Sequence, residues 1–167
     1  MSENKTVSVE VSIADDIGSA EEDIPEASIL QDWINAAWQG EGTAVVSLRI
    51  AGNEEIRHLN REYRHKDKAT NVLSFPMDIP ADIEPKLLGD IALCVPVIKA
   101  EAEAQGKTLQ AHWAHMLVHG MLHLQGYDHI EDDEARQMET LEIQILEQLG
   151  FANPYQDNPP KEKAKQL

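Results

Sequence analysis

The sequence is poor in cysteine and has no long apolar run. Cys94 is the single cysteine among 167 residues, so no disulfide can form within the chain. The longest apolar stretches, such as GDIALCVPVI at residues 89–98, are far shorter than the roughly 20 residues that a membrane helix needs. The first ten residues lack the charged and then apolar layout of a secretory signal. We therefore expect no membrane partner, a cytoplasmic location and an inert, buried thiol at Cys94.

Positive charge is also scarce. The chain has 14 Lys and Arg against 30 Asp and Glu, and its formal net charge at pH 7 is -16. Long-range repulsion then disfavours a polyanionic partner unless a local basic patch exists. Residues 57–68 (RHLNREYRHKDK) form such a patch. Arg57, Arg61 and Arg64 share one helical face there, and guanidinium groups suit phosphate oxygens, although a merely solvated helix face explains the same pattern.

Hydrophobic periodicity predicts an α+β fold, a single compact domain with a small mixed sheet of about four strands packed against several helices. We expect the domain over residues 1–152 and a disordered tail over 153–167, with residues 15–23 as a loop. Residues 7–13 should form a strand at the sheet edge with one buried apolar face, and Asn53 should cap a helix. Trp33 and Trp38 should be core residues. Further strands are predicted within residues 43–51, 71–79 and 89–96, and further helices within 25–38, 96–106, 109–125 and 132–149.

Five of the seven histidines lie in one short segment, HWAHMLVHGMLHLQGYDH. His119 and His123 are one helical turn apart, a spacing that places two imidazoles on one cation. Gly126 can end the helix in a left-handed conformation and return the chain so that His129 reaches the same cation. The pattern predicts one zinc ion with an open position at the end of a central helix.

The other polar residues of this segment are weaker candidates for metal ligands. His112 and His115 precede the predicted ligands and should pack or support them, and Asp128 could orient a ligand or simply form the turn. Structural packing of all these histidines on an amphipathic helix is the alternative to a metal site.

The histidine spacing H-x-x-x-H-x-x-G-x-x-H is that of the metzincin proteases. Gly120 replaces the glutamate that serves those enzymes as general base, so a metallopeptidase is the weaker interpretation. Three neutral imidazoles can still bring the pKa of a zinc-bound water to about 7, which favours a hydrolase.

Three stretches together, YRHKDKATNVLSFP, LGDIAL and HGMLHLQGYDH, make the chain resemble the bacterial YbeY family of ribosomal RNA maturation endoribonucleases. The resemblance extends over about residues 45–149. It implies a metal-dependent, single-strand-specific endoribonuclease that matures the 3′ end of the small-subunit ribosomal RNA and serves ribosome quality control. By the same resemblance, the zinc ligands are His119, His123 and His129, and Arg64 is a catalytic residue that contacts RNA phosphate.

The partners that the resemblance implies are single-stranded RNA, a ribosomal RNA precursor and the ribosome or a ribosomal protein, with no DNA expected. A noncatalytic ribosome-assembly factor with a structural zinc site is the main alternative, because the usual general base is missing and the chain is strongly acidic. A fourth protein ligand would favour that alternative, whereas an open position favours catalysis.

Overall fold

Four strands and five α-helices follow one another along the described part of the chain. The computed structural model describes residues 6–77, 84–127 and 131–155. The strands are β1 (Thr6–Ile13), β2 (Thr43–Ala51), β3 (Val72–Pro76) and β4 (Lys86–Cys94). The α-helices are α1 (Ala27–Ala37), α2 (Asn53–Arg64), α3 (Val95–Gln105), α4 (Leu109–Leu124) and α5 (Asp132–Gln148), and a 3-10 helix spans Asp15–Asp23. The predicted α+β fold is confirmed.

The strands form one mixed sheet in the order β1-β2-β4-β3. Strands β1 and β2 are parallel, as are β2 and β4, whereas β3 runs antiparallel to β4. Parallel neighbours need a crossover, and α1 supplies it between β1 and β2. Strand β3 is left at one edge of the sheet, where it lies against α4.

Helix α4 runs through the centre of the core. It contacts α1, α3, α5 and the strands β3 and β4. Trp113, Leu117 and Met121 are fully buried, as expected for a helix that is apolar on nearly all sides. Trp33 and Trp38 are also buried, which confirms their prediction as core residues. Within the described residues, no helix is both long and apolar enough to cross a membrane.

Residues 15–23 form a 3-10 helix, so the prediction of a loop was wrong. The Asp16 carboxylate accepts hydrogen bonds from the backbone N–H of Gly52 (2.9 Å) and of Glu55 (3.0 Å) at the beginning of α2. Asp16 thereby caps α2, a role that we had predicted for Asn53. Asn53 is instead the first helical residue, and its side-chain oxygen accepts a hydrogen bond from the thiol of Cys94 (3.3 Å).

Strand β1 lies at the sheet edge as predicted, but its apolar face is covered only at its beginning. The backbone N–H of Val7 donates to Asn35 (3.0 Å), and its carbonyl accepts from Gln31 (2.6 Å), so α1 packs there. Val7 is buried, whereas Val11 and Ile13 are each 42% exposed. The alternating pattern identified the strand, but it overestimated how far the covering layer extends.

Candidate functional site

A groove of about 420 Å³ opens where α4 passes beside β3. We call it the histidine groove. The described residues that line it are Arg64, Asn71, Val72, Leu73, Ser74, Pro76, His119, His123, Gly126 and Tyr127. The structure thus brings together three predicted site residues, Arg64, His119 and His123. The predicted third metal ligand, His129, and its neighbour Asp128 lie outside the described residues.

His119 and His123 point their rings at each other from successive turns of α4. Their Nε2 atoms are 3.1 Å apart. Two nitrogens that bind one tetrahedral zinc ion lie about 3.4 Å apart, given bonds of roughly 2.05 Å. Imidazole nitrogens at this separation share either a proton or a cation, so the pair fits a metal ion. No group of three His, Cys, Asp or Glu side chains that could hold a metal occurs among the described residues.

The backbone at the end of α4 agrees with the helix end predicted at Gly126, whereas the reversal toward His129 lies outside the described residues. Gly126 has φ +98°, in the region where residues other than glycine are strained. Its N–H bonds to the carbonyl of His123 (3.0 Å), and the N–H of Tyr127 bonds to the carbonyl of Leu122 (3.0 Å). The helix therefore ends directly after the second predicted ligand.

A buried carboxylate lies behind His119. Glu142 of α5 is fully buried, and its Oε2 accepts a hydrogen bond from Nδ1 of His119. Its Oε1 accepts one from the hydroxyl of Tyr155 and lies 3.5 Å from Nε2 of His115. Burial raises the pKa of Glu142, but the hydrogen bonds from His115, His119 and Tyr155 lower it by more, to about 2. Both oxygens of this buried carboxyl group therefore have hydrogen-bond donors.

Our sequence interpretation missed Glu142. A signal was present, because Met138, Ile145 and Leu146 lie four residues before and three and four after it and define the buried face of α5. A charged residue in the middle of such a face usually has a buried partner. Tyr155, in the segment for which we expected a disordered tail, also contacts this carboxylate.

Arg64 is fixed at the groove by contacts with β3. Its guanidinium donates to the backbone carbonyl of Ser74 (2.6 Å) and lies over the ring of Phe75, 5.3 Å from the ring centroid. The hydroxyl of Ser74 in turn donates to the carbonyl of Gly120 (3.2 Å), the residue after His119. These bonds join α2, β3 and α4 and set the position of the cationic group relative to the histidines.

Gly120 occupies the place of the missing peptidase glutamate, and the structure shows why a side chain is absent. A Cβ atom on Gly120 would lie 3.1 Å from Cγ2 of Ile91 and 3.3 Å from Oγ of Ser74. Glycine thus allows α4 to pack closely on the sheet. A side chain at this position would require Ile91 and Ser74 to move by a few tenths of an ångström, so the packing disfavours a glutamate here.

The other arginines of the basic segment have acidic partners. Arg57 forms two hydrogen bonds with Asp67 (2.7 and 3.1 Å), and Arg61 lies 3.8 Å from both Asp67 and Glu62. Their side chains are about half exposed. The solvated-face alternative therefore describes Arg57 and Arg61, and phosphate binding stays a prediction for Arg64.

His112 and His115 of α4 contact other side chains, which fits the packing or supporting role expected for them. Nε2 of buried His112 lies 2.8 Å from Oε1 of Glu101, and Nε2 of His115 lies 3.3 Å from the Tyr155 hydroxyl. Burial raises the pKa of Cys94 to about 11, so this thiol is inert at neutral pH.

Comparison with known proteins places the chain among similar sequences. A family model described as Endoribonuclease YbeY matches residues 15–150. A protein named Endoribonuclease YbeY from Cellvibrio japonicus (strain Ueda107) is 52% identical over 144 residues, 85% of this chain and 81% of that protein. A protein of the same name from Stutzerimonas stutzeri (strain A1501) is 52% identical over 139 residues, which cover 82% of this chain and 87% of that protein.

A solved structure is similar in fold. The solution structure of a Thermotoga maritima protein superposes with a TM-score of 0.53 at 24% identity, covering 92% of this chain and 99% of the other. At this identity, the likeness concerns the fold alone. The sequence matches decide the relationship: the chain belongs to the YbeY endoribonuclease family.

Proposed function

We propose that this protein is a metal-dependent endoribonuclease that cleaves single-stranded RNA during maturation of the 3′ end of the small-subunit ribosomal RNA and in ribosome quality control. Endoribonuclease activity in ribosomal RNA processing follows from family membership. One observation supports the metal-dependent reaction: Arg64 lines the same groove as the facing pair His119 and His123.

In this proposal, His119, His123 and His129 hold one zinc ion. The 3.1 Å separation of the two described Nε2 atoms supports it. A zinc ion bound there supplies a Lewis acid and lowers the pKa of bound water. Neutral imidazoles add no charge of their own, so the centre would attract phosphate.

Arg64 is proposed to neutralise the negative charge that grows on the phosphate oxygens during cleavage. A guanidinium has five N–H donors, so the bond to Ser74 leaves others for a phosphate. Arg64 is the residue with a fixed charge among those described along the histidine groove, and no described carboxylate lines it. A phosphate would therefore meet attraction here although the whole protein is acidic.

Preference for single strands is supported by aromatic residues next to Arg64. Tyr63 is 62% exposed and meets the ring of Phe75 edge-on, with centroids 5.2 Å apart. The exposed ring of Tyr63 beside Arg64 suits one unpaired base that stacks on it while the RNA backbone lies in the histidine groove, whereas paired bases keep their faces inside the duplex.

The proposal includes a cytoplasmic location and a ribosomal partner. The single, buried Cys94 suits a reducing compartment. The net charge of -16 suits a basic ribosomal protein as docking partner. Binding of the zinc-loaded protein to ribosomal subunits should therefore weaken as salt is raised.

The test is cleavage of a single-stranded ribosomal RNA precursor by metal-replete protein. A His119→Ala, His123→Ala double variant, purified identically, exposes contaminating nuclease, and His58→Ala on the exposed face of α2 is the matched histidine control. We expect the double variant to lose at least about 1000-fold in rate, because a catalytic metal contributes several kcal/mol. Equal or absent cleavage would support the assembly factor, and cleavage of a peptide library would support the peptidase.

A further inference from the structure

We propose that Glu142 is a positioning residue for the metal ligand His119 and that Tyr155 holds Glu142 in place. This inference rests on the proposed metal site. It concerns a helix, α5, and a C-terminal segment to which neither the motifs nor the family name assign a role in the reaction.

The hydrogen bond between Glu142 and His119 fixes which ring nitrogen faces the groove. Oε2 of Glu142 lies within hydrogen-bond distance of Nδ1 of His119, and a carboxylate oxygen accepts, so Nδ1 carries the hydrogen of this contact. A neutral imidazole has one N–H, and the lone pair therefore lies on Nε2. That atom is the one that faces Nε2 of His123. Glu142 thus selects the form of His119 that can coordinate a metal at this place.

The second carboxylate oxygen determines the rest of the network. The Tyr155 hydroxyl must donate to Oε1 of Glu142, so its own oxygen is left to accept from Nε2 of His115 at 3.3 Å. The hydrogen of His115 then lies on Nε2, and its buried Nδ1, which has no hydrogen-bond partner among the described residues, carries a lone pair. This arrangement of hydrogens gives each oxygen of the Glu142 carboxylate one close donor.

The burial of Glu142 indicates that its carboxylate has a functional role. An apolar side chain at this position would pack among Met138, Ile145 and Leu146 without any desolvation cost. A buried carboxylate instead requires hydrogen-bond donors on two sides, and it receives them from α4 and from Tyr155. A negative charge behind the ring makes Nε2 of His119 a better donor to a cation.

The experiment measures zinc affinity and the His119 tautomer rather than cleavage alone. The variants are Glu142→Leu, Glu142→Gln and Tyr155→Phe, and Glu147→Gln on the exposed face of α5 is the matched control. Zinc affinity is measured by chelator competition. The tautomer is read from the imidazole ¹⁵N shifts of the zinc-free protein, with zinc-free thermal unfolding as the check on folding.

Glu142→Leu should lower zinc affinity by about 10- to 100-fold and mix the two His119 tautomers. Glu142→Gln keeps an oxygen that accepts the His119 hydrogen, so the tautomer should persist while affinity falls about tenfold with the lost charge. Tyr155→Phe should have a smaller effect of the same sign, and Glu147→Gln should equal the wild type.

The outcomes separate this inference from the proposed metal site. Wild-type protein that binds no zinc through His119 and His123 would refute the metal site itself. Zinc affinity that stays equal to wild type in Glu142→Gln would overturn the contribution of the Glu142 charge. A folded Glu142→Leu with unchanged zinc affinity and an unchanged tautomer would overturn the positioning role of Glu142 alone. If Glu142→Leu does not fold, Glu142→Met is measured in the same way.

Discussion

Strand β3 separates two grooves that differ in charge. The histidine groove of about 420 Å³ receives Ser74 from β3, and a second groove of about 680 Å³ receives Phe75. We call the second one the sheet-face groove. It is lined by Glu10, Val11, Ser12, Ser47, Leu48, Arg49, Glu55, Leu59, Tyr63, Phe75, Asp90, Ile91 and Ala92. The larger groove thus contains three carboxylates against one arginine, and the smaller one has an arginine and two histidines.

One arginine in each groove shows what the difference means. Arg49 makes two bonds of 2.5 and 2.9 Å to Glu55, and its pKa is raised, mainly by this hydrogen bond. The charge of Arg49 is therefore compensated. The partners of Arg64 are a carbonyl group and an aromatic ring, so its positive charge stays available for a phosphate. Charge and chemistry, rather than volume, are the reasons why we propose the smaller groove for RNA.

Replacing each of these two arginines separately with alanine should give the largest difference in RNA cleavage rate between the grooves. Arg64→Ala should lower the rate of RNA cleavage by about 100- to 1000-fold, since one donor to developing charge is removed. Arg49→Ala, the matched control, should change it by less than about twofold, because Arg49 is paired with Glu55 and lies outside the histidine groove. Single-turnover cleavage with saturating protein measures the rates of both variants. Equal losses of rate would show that RNA cleavage does not depend on the histidine groove more than on the sheet-face groove.

Gly120→Glu tests why the histidine groove lacks the peptidase base. The new side chain meets Ile91 and Ser74 at the contact of α4 with the sheet, so we expect a loss of about 3 kcal/mol in the free energy of unfolding. That loss corresponds to a decrease in Tm of roughly 10 °C, measurable by calorimetry. The variant should gain no peptidase activity. A stable variant that cleaves peptides would contradict our account of this packing.

His112 lies on α4 outside both grooves and provides a pH test of stability. Burial lowers its pKa from 6.5, and Lys107 and His115 add to this, although the hydrogen bond and charge of Glu101 oppose it. Because the unfolded chain takes up this proton more readily, the free energy of unfolding should fall as pH decreases below about 6.5. His112→Gln should reduce that pH dependence in urea titrations. If it changed instead the pH profile of cleavage, His112 would belong to the reaction.

Glu10→Gln should have the smallest effect of the series. It removes one of three carboxylates from the sheet-face groove without touching the histidine groove. At low salt, RNA association should become slightly faster through weaker long-range repulsion, by less than about twofold, and the effect should vanish at 0.15 M salt. Stopped-flow association measures it. A large effect on RNA cleavage would place RNA in the sheet-face groove.

The fold was largely predictable because its signals are local. Gly106 has φ +69° directly after α3, and Gly126 has φ +98° just beyond α4. Both positions were predicted as helix ends from the sequence. The cap of α2 was not predictable in this way. Asp16 reaches it from 36 residues earlier in the chain, and periodicity contains no information about such a contact.

The site was predictable only in part. The spacing of His119 and His123 is a property of one helix, so the sequence is enough to bring them together. Glu142 reaches His119, and Tyr155 reaches Glu142, only because α5 and the segment after it pack against α4. Packing also selects Arg64 among three arginines on one helical face, because only this one reaches β3 and the histidine groove.

A crystal structure of the zinc-loaded protein with a single-stranded RNA oligonucleotide carrying 2′-O-methyl groups would test the central claim most directly. We predict zinc bound to Nε2 of His119 and of His123, with an RNA phosphate in the histidine groove within hydrogen-bond distance of Arg64. Zinc bound elsewhere, or an RNA backbone that follows the sheet-face groove and leaves Arg64 without a phosphate, would contradict it.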